Sequence, residues 1–403
     1  MPQLLIIGGG HAAAQLCAAL TEAAYSGRIT LVSEESALPY HRPPLSKGFL
    51  KQADDSLQHL RGDGFFDTHR IDVHLGDAAL AIDRASKQVS LRSGLQLAYD
   101  QLVLATGARP RRLPGLAEGL QNTVLLRSAE DALRLRRQLA SAQAVVVIGG
   151  GFIGLELAAT ARALGKTVTV LEAAPRLLAR AVSPELSEHV LQTHAAAGID
   201  VRLNAGPLQV VAEGDRASAV QLGDERLPLD VLVIGIGATP DIALAQAAGL
   251  DCANGVVVDA HMRTSDPDVF AIGDCTAFPY APWGEPLRLE SVQNAHDQAR
   301  TLAATLMSQP RPYTAVPWFW SEQGAMRLQM AGLARPEARR FRRPGATPQS
   351  FSILHYEDGR LVCVESVNAP MDHLAAKKLL ELGRSPAPDI AIDPATPLKA
   401  HTA

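Results

Sequence analysis

Apolar residues in this chain come in short runs that alternate with stretches rich in alanine and leucine. Leu4 to Ile7 is an unbroken apolar run of strand length; Gly8, Gly9 and Gly10 follow, and His11-Ala12-Ala13-Ala14 opens a stretch of helical texture. Val145 to Ile148, then Gly149-Gly150-Gly151, then Phe152-Ile153-Gly154 repeat the same order. A second strand-like run closes each segment, Ile29 to Ser33 and Thr167 to Leu171, and each ends at an acid, Glu34 and Glu172. Each segment therefore predicts strand, tight turn, helix and parallel strand, a βαβ unit that the chain carries twice. Leu102 to Leu104 and Val231 to Ile234 are a further matched pair of buried strands. Both are followed by a glycine and proline break, where a chain leaves one domain for another.

These breaks divide the chain into residues 1–111 and 240–312 as one discontinuous domain, with residues 112–239 inserted in it. From residue 313 the texture changes. Trp318-Phe319-Trp320, Phe351 to Tyr356, the turn Glu357-Asp358-Gly359-Arg360 and Leu361 to Val367 predict an antiparallel sheet, and a helix follows at Met371 to Leu382. The proline-rich end from Ser385 is expected to be extended and partly mobile. The expected fold class is α/β: two Rossmann-like dinucleotide-binding domains, one inserted in the other, plus a C-terminal α+β domain (313–403) with an antiparallel sheet.

Composition narrows the function. The 403 residues exceed one ordinary core, and a 47% hydrophobic fraction argues against disorder. With 38 Lys and Arg against 42 Asp and Glu, the net charge of −4 gives no global field for nucleic acid. No secretory signal and no apolar run of about 18 residues is seen, so no membrane partner is expected and the reading is cytoplasmic. Cys17, Cys252, Cys275 and Cys363 make no short pair, which argues against a redox disulfide beside a cofactor and against an iron–sulfur cluster in this chain. His11, His41 and His296 lie near motifs without metal-ligand spacing, and no metal is expected.

A glycine turn between strand and helix lets backbone N–H groups approach a pyrophosphate at the positive end of the helix. The first turn reads Gly8-x-Gly10-x-x-Ala13, the second Gly149-x-Gly151-x-x-Gly154, and Glu34 and Glu172 follow the last motif position by 21 and 18 residues. That spacing suits an acid that binds a ribose. One such turn is weak, because tight glycine turns also serve packing; two, each with its own acid, are strong. Two dinucleotide sites imply electrons passing between two dinucleotides, FAD and a nicotinamide cofactor being the usual pair.

Four further segments are specific: Pro39 to Lys47; Ala105-Thr106-Gly107-Ala108-Arg109-Pro110; Arg263-Thr264-Ser265 with Val269 to Cys275; and Trp318 to Gln323. In order, from about residue 3 to about 382, they resemble the FAD-dependent, NADH-linked ferredoxin reductases of bacterial oxygenase systems. The resemblance implies that Gly8, Gly10, Ala13 and Glu34 hold the ADP half of FAD. It puts Arg42 and Lys47 beside the flavin, with Ala105, Thr106, Gly107 and Arg109 in the same site. Asp274 would bond the ribityl chain near the N-terminus of the pyrophosphate-binding helix. Val292 would belong to the segment closing the site, unless Ser291 there is simply a helix cap. Trp320 would lie at the flavin edge where a partner docks, unless it is an ordinary core tryptophan. Gly149, Gly151, Gly154 and Glu172 would bind NADH. The implied partner is a two-iron ferredoxin that feeds an oxygenase, either a cytochrome P450 or a ring-hydroxylating dioxygenase, with the reductase a monomer or weak dimer.

Two readings go beyond the resemblance. A flavin N5 that accepts hydride benefits from a nearby cation, and a buried lysine needs a carboxylate, so Lys47 and Glu156 are expected to form a catalytic ion pair. The plain alternative makes Lys47 a helix cap and Glu156 a solvated helix residue. Glu172 suits a free 2′-hydroxyl and repels a 2′-phosphate, with Ala173 and Ala174 supplying no cation although Arg176 and Arg180 follow; NADH is expected over NADPH. The run Arg335, Arg339, Arg340, Arg342, Arg343 reads as a solvated face, with docking of an acidic ferredoxin secondary. Disulfide-type relatives would need a cysteine between Tyr40 and Lys47, where there is none. A rubredoxin or quinone reductase of the same fold, or an FAD-binding scaffold or signalling protein resembling apoptosis-inducing factor, remain the alternatives.

Overall fold

The computed structural model describes residues 1–52, 54 and 56–402. The chain forms two compact units. The first comprises Met1–His41, Ser56–Arg109 and Ala238–Ala315; the second comprises Arg42–Asp55, Pro110–Gly237 and Val316–Ala403.

In the first unit, strand β1 (Gln3–Ile7), helix α1 (His11–Glu22) and strand β2 (Arg28–Ser33) form the expected βαβ element. β1 lies at the centre of a five-stranded parallel sheet ordered Val269–Ala271, Gln101–Leu104, β1, β2, Asp72–Leu75. A central parallel strand is covered on both faces, which is why Leu4 to Ile7 is apolar without alternation. The small residues Ala12, Ala13, Ala14, Cys17 and Ala18 let α1 pack closely beside helix Val292–Leu306.

The second unit repeats the element: β3 (Ala144–Ile148), α2 (Phe152–Ala163) and β4 (Thr167–Leu171). Its parallel sheet is ordered Asp200–Arg202, β4, β3, Val231–Ile234, Thr123–Val124. The same unit holds the C-terminal antiparallel sheet of β5 (Trp318–Gln323), β6 (Met326–Gly332), β7 (Arg339–Pro344), β8 (Phe351–Glu357) and β9 (Arg360–Val367), ordered β5-β6-β9-β8-β7. Helix α3 (Pro370–Glu381) packs on β6 and β9. Of these strands, β6 and β7 were not anticipated, β7 being hidden in the arginine run. Among the described residues no helix is long and apolar enough to cross a membrane.

Two expectations for this part of the chain need correction. The C-terminal tail is packed rather than extended: it forms a helical turn at Pro388–Ala391 and a 3-10 turn at Leu398–Thr402, and Ala391 and Leu398 are buried in the core under α3. The cause is Arg343, which is not part of a solvated face. Alternation along edge strand β7 turns it inward, where its guanidinium donates to Ala391 O (2.8 Å), Asp393 O (2.6 Å), Thr396 O (2.9 Å) and Asp372 Oδ2 (3.2 Å). Arg339, Arg340 and Arg342 stay exposed, Arg340 paired with Glu185 at 3.0 Å and Arg342 stacked over the Phe351 ring at 3.8 Å. Charges on an edge strand also discourage pairing with another sheet.

Replacing Arg343 by Met strands the tail carbonyls and leaves the Asp372 carboxylate with Ser352 Oγ as its donor at 3.0 Å, and is expected to cost about 3 kcal/mol of stability. Lysine should recover only part of this, because one ammonium cannot span four acceptors. Urea unfolding and limited proteolysis beyond Ser385 measure both effects.

Candidate active site

In the first unit the glycine turn is shaped by backbone contact. Gly8 donates to Val32 O at 2.8 Å and has φ +121; a Cβ there would stand 2.1 Å from Ala105 O. Gly10 is different: it precedes α1, and a Cβ on it would meet nothing within 4 Å. α1 has no side-chain cap and no acid in its first turn, so neither competes for an anion at its N-terminus. Ala13, fully buried, belongs to the packed face. Gly273, φ +84, rests against Ala12, a Cβ there lying 3.1 Å from the Ala12 methyl, and this sets the half-buried Asp274 beside the start of α1.

The rim of this cradle is polar and partly unforeseen. Ala105 donates to Ile7 O at 2.8 Å; Thr106 Oγ1 donates to Asp241 O at 2.6 Å, and Asp241 N–H to Gly107 O at 2.9 Å. Glu34, half exposed, pairs with Arg92 (2.8 Å) and Arg109 (3.3 Å), and Arg109 pairs with Asp241 at 2.8 Å. Burial works against the Arg109 charge, but Asp241 and Glu34 outweigh it and raise its pKa. Arg92 and Asp241 lie 58 and 132 residues from their partners, and no local pattern announces them. Val292 is the first residue of its helix, and Ser291 Oγ caps that helix by accepting from Asn294 N–H at 3.0 Å. The rings of His11, His41 and His296 gather, with His11 5.7 Å from His41 and 5.9 Å from His296. Burial, aided by nearby arginines, pushes His41 and His296 below the usual histidine range. Among the described residues no group of His, Cys, Asp and Glu could hold a metal ion.

The second unit has its own glycine turn, closely packed at two of its glycines. A Cβ on Gly149 (φ +109) would stand 2.4 Å from Gly235 O, and one on Gly154 would stand 2.3 Å from Gly149 O. Gly154 is therefore needed for packing where the first turn admits Ala13. Gly151 precedes α2, which again lacks a side-chain cap. The two acids are not equivalent. Ile7 pairs with Val32 and Ile148 with Leu171, so strand register puts Glu172 in the place of Ser33 and Ala173 in the place of Glu34. Glu172 accordingly turns to its own turn, accepting Gly150 N–H at 2.6 Å and Ala174 N–H at 2.7 Å. Two bonds leave lone pairs on the carboxylate for a further donor. Arg176 is taken up by the carbonyls of Val182 (2.8 Å) and Ala179 (2.5 Å), and Arg180 is exposed.

Lys47 and Glu156 meet in this unit although 109 residues separate them. Lys47 follows the 3-10 turn Pro43–Ser46, its ammonium donating to Glu156 Oε2 at 2.7 Å and to Pro43 O at 3.0 Å. Glu156, on α2, is 5% exposed, so it is no solvated helix residue. Ser46 Oγ also donates to its Oε2 at 2.5 Å, and Ser321 Oγ to its Oε1 at 2.7 Å. Arg42 donates to Arg127 O at 2.9 Å. Trp320 is half-buried on β5, its ring 5.6 Å from Trp318, and Phe319 beside it meets Phe152 at 4.6 Å. Of the residues expected at the flavin, Arg42, Lys47 and Trp320 thus belong to the second unit and the others to the first.

The uncapped helix starts at Gly10, with open space beside it, and at Gly151, where a Cβ would make only an ordinary contact 3.7 Å from Gly235 O, fit the pyrophosphates of two dinucleotides. The chain is similar to known proteins over its length. Residues 2–299 match the family described as pyridine nucleotide-disulphide oxidoreductase, and residues 318–402 match the reductase C-terminal family. Rhodocoxin reductase of Rhodococcus erythropolis is 43% identical over 392 residues, covering 97% of this chain and 92% of that protein. The crystal structure of the ferredoxin reductase for the CYP199A2 system of Rhodopseudomonas palustris superposes with a TM-score of 0.96 at 43% identity, covering 100% of both chains. Putidaredoxin reductase in its covalent complex with putidaredoxin gives a TM-score of 0.94 at 37% identity, covering 100% of this chain and 99% of that one.

The glycines separate packing from ligand approach. Gly8→Ala is expected to lower stability by at least about 2 kcal/mol, because its Cβ would overlap a carbonyl. Gly10→Ala should stay within about 1 kcal/mol of the parent and still lose bound dinucleotide, because its methyl would enter only the open space. Chemical denaturation and the cofactor content of the purified protein check the pair.

Proposed function

The chain belongs to the pyridine nucleotide-disulphide oxidoreductase family, and from that premise we propose that it is an NADH-dependent reductase passing electrons through bound FAD to a two-iron ferredoxin that serves an oxygenase. FAD, when bound, supplies the exchange between a two-electron hydride donor and a one-electron acceptor. Everything else falls to the chain's own residues. Gly8 and Gly10 at the bare start of α1 take the FAD pyrophosphate, Glu34 its ribose and Asp274 its ribityl chain, within the domain of residues 1–111 and 240–312. Gly149, Gly151 and Gly154 take the NADH pyrophosphate in residues 112–239, and the remaining lone pairs of Glu172 accept a bond from the free 2′-hydroxyl. A 2′-phosphate would meet that carboxylate with Arg176 already bound to carbonyls.

The observation that carries the reading is the Lys47–Glu156 pair at 2.7 Å, half-buried at Lys47 and buried at Glu156. Glu156 keeps an ammonium charged with little help from water, and Lys47 is the cation assigned to the flavin N5 region as it gains charge. Trp320 and Arg42 are assigned to the same ring system, and residues 313–403 to the partner's side. The family is named for disulphide chemistry, but the cysteines here oppose it. All four are free thiols, three of them buried, and burial pushes Cys17 up to about 12 and raises Cys275 and Cys363. Thiolate is the reactive form, so these cysteines do not relay electrons, and the electrons leave from the flavin itself. The named relatives are a rhodocoxin reductase, a ferredoxin reductase for the CYP199A2 system and a putidaredoxin reductase in complex with putidaredoxin, which supports a ferredoxin partner here. We place the protein in the cytoplasm, where NADH is available, as a monomer or weak dimer, since every residue invoked lies in one polypeptide.

NADH-driven cytochrome c reduction with candidate ferredoxins from the same cell tests activity and partner together. Turnover should require ferredoxin; a preference for rubredoxin or quinone would replace the partner and leave the NADH half intact. kcat/KM should favour NADH over NADPH, and equal efficiency would overturn the role given to Glu172. Lys47→Ala should slow anaerobic flavin reduction by NADH in stopped flow by at least about tenfold, and an unchanged rate would remove Lys47 from the mechanism.

A further inference from the structure

Behind Glu156 the hydrogen bonds continue within the second unit. Ser321 is fully buried and Gln323 is 3% exposed, with the exposed Glu322 between them: alternation along β5 turns the first two to one face. Gln323 Nε2 reaches Ser321 Oγ at 3.2 Å, and Gln323 Oε1 lies 2.8 Å from His194 Nε2, in the last turn of helix Pro184–Ala196. Nothing about a flavin pocket requires a buried serine, glutamine and histidine in line.

Chemistry fixes the direction of this chain. An ionised carboxylate only accepts, so the Ser321 hydroxyl donates to Glu156 and must accept from the Gln323 amide. That turns the Gln323 carbonyl toward His194, whose Nε2 must then carry the proton. Burial holds His194 below the usual histidine range, which suits a neutral ring protonated at one nitrogen. We propose that Ser321, Gln323 and His194 are positioning residues, a one-way donor chain that holds Glu156 as an anion and so keeps Lys47 charged for the flavin. The proposal rests on the reading that Lys47 faces the flavin. With Ser321 Oγ in place, Glu156 has a donor on each oxygen, Ser46 and Lys47 on Oε2 and Ser321 on Oε1. Without it, Oε1 is left buried with no donor among the described residues, and the carboxylate draws the Lys47 proton toward itself. Thr160 Oγ1, bonded to Ser46 O at 2.9 Å, supports the other side of the cluster.

The test uses FAD-loaded protein with Ser321→Ala and, one step further back, Gln323→Met, a substitution of similar length and shape. Flavin reduction by NADH should slow roughly tenfold in the first and less in the second. The flavin midpoint potential should become more negative in the same order, because a weakened cation no longer favours the reduced ring; a merely structural role would move thermal unfolding and leave the potential in place. Unchanged rate and potential in folded, loaded variants, or a potential that rises, would overturn the proposal. If a variant does not retain FAD, labelling of Lys47 by an amine reagent in the folded apoprotein decides. Labelling should be faster in Ser321→Ala than in the parent, and equal labelling would overturn the proposal. Failure of the flavin reading is separate: Lys47→Ala would then reduce at the parent's rate while the Ser321→Ala labelling still changed.

Discussion

A Cβ on Gly8 would stand 2.1 Å from Ala105 O and one on Gly149 2.4 Å from Gly235 O, so in both units the turn after the first strand presses against backbone at the end of a neighbouring strand. Only residues without a side chain permit that approach, and both glycines also need a positive φ. The consequence reaches the chemistry. Behind each turn the helix begins without a side-chain cap, which leaves its N-terminus suited to an anion. Two such starts in one polypeptide are what make it a protein for two dinucleotides.

The second constraint is a charge taken out of water. Glu156 lies on the inward face of α2, and an unpartnered carboxylate there would be costly. Its donors come from the 3-10 turn before residue 47 and from β5, which ties the fingerprint helix to residues far away in sequence. A group that fixes three segments at once also fixes the ammonium beside it. Stability and the proposed function therefore rest on the same carboxylate, and this explains why the residues holding it are polar rather than apolar.

Much of this was legible in the sequence because it is local. Unbroken apolar runs followed by glycines marked the central strands and turns, and residues 318–320 and 351–367 marked the antiparallel sheet. Lys47 and Glu156 were legible only as chemistry, a cation needing a carboxylate. Other features depend on three-dimensional register. Counting residues made Glu34 and Glu172 look alike, but strand pairing shows them one position apart, with Glu172 closing its own turn. The arginine run looked like a surface because composition cannot say which alternate side chain of a strand points inward; Arg343 does, and it draws the tail into the core. Arg92, Asp241, Gln323 and His194 act on partners 58 to 132 residues away, beyond any periodicity.

The claim that the two cradles serve a single hydride transfer is tested most directly by anaerobic titration of the purified protein with NADH, followed by visible absorption. The account predicts a yellow protein whose oxidised-flavin band disappears as one molar equivalent of NADH is added. A colourless protein that does not take up FAD, or a yellow one whose spectrum NADH leaves unchanged, would contradict it.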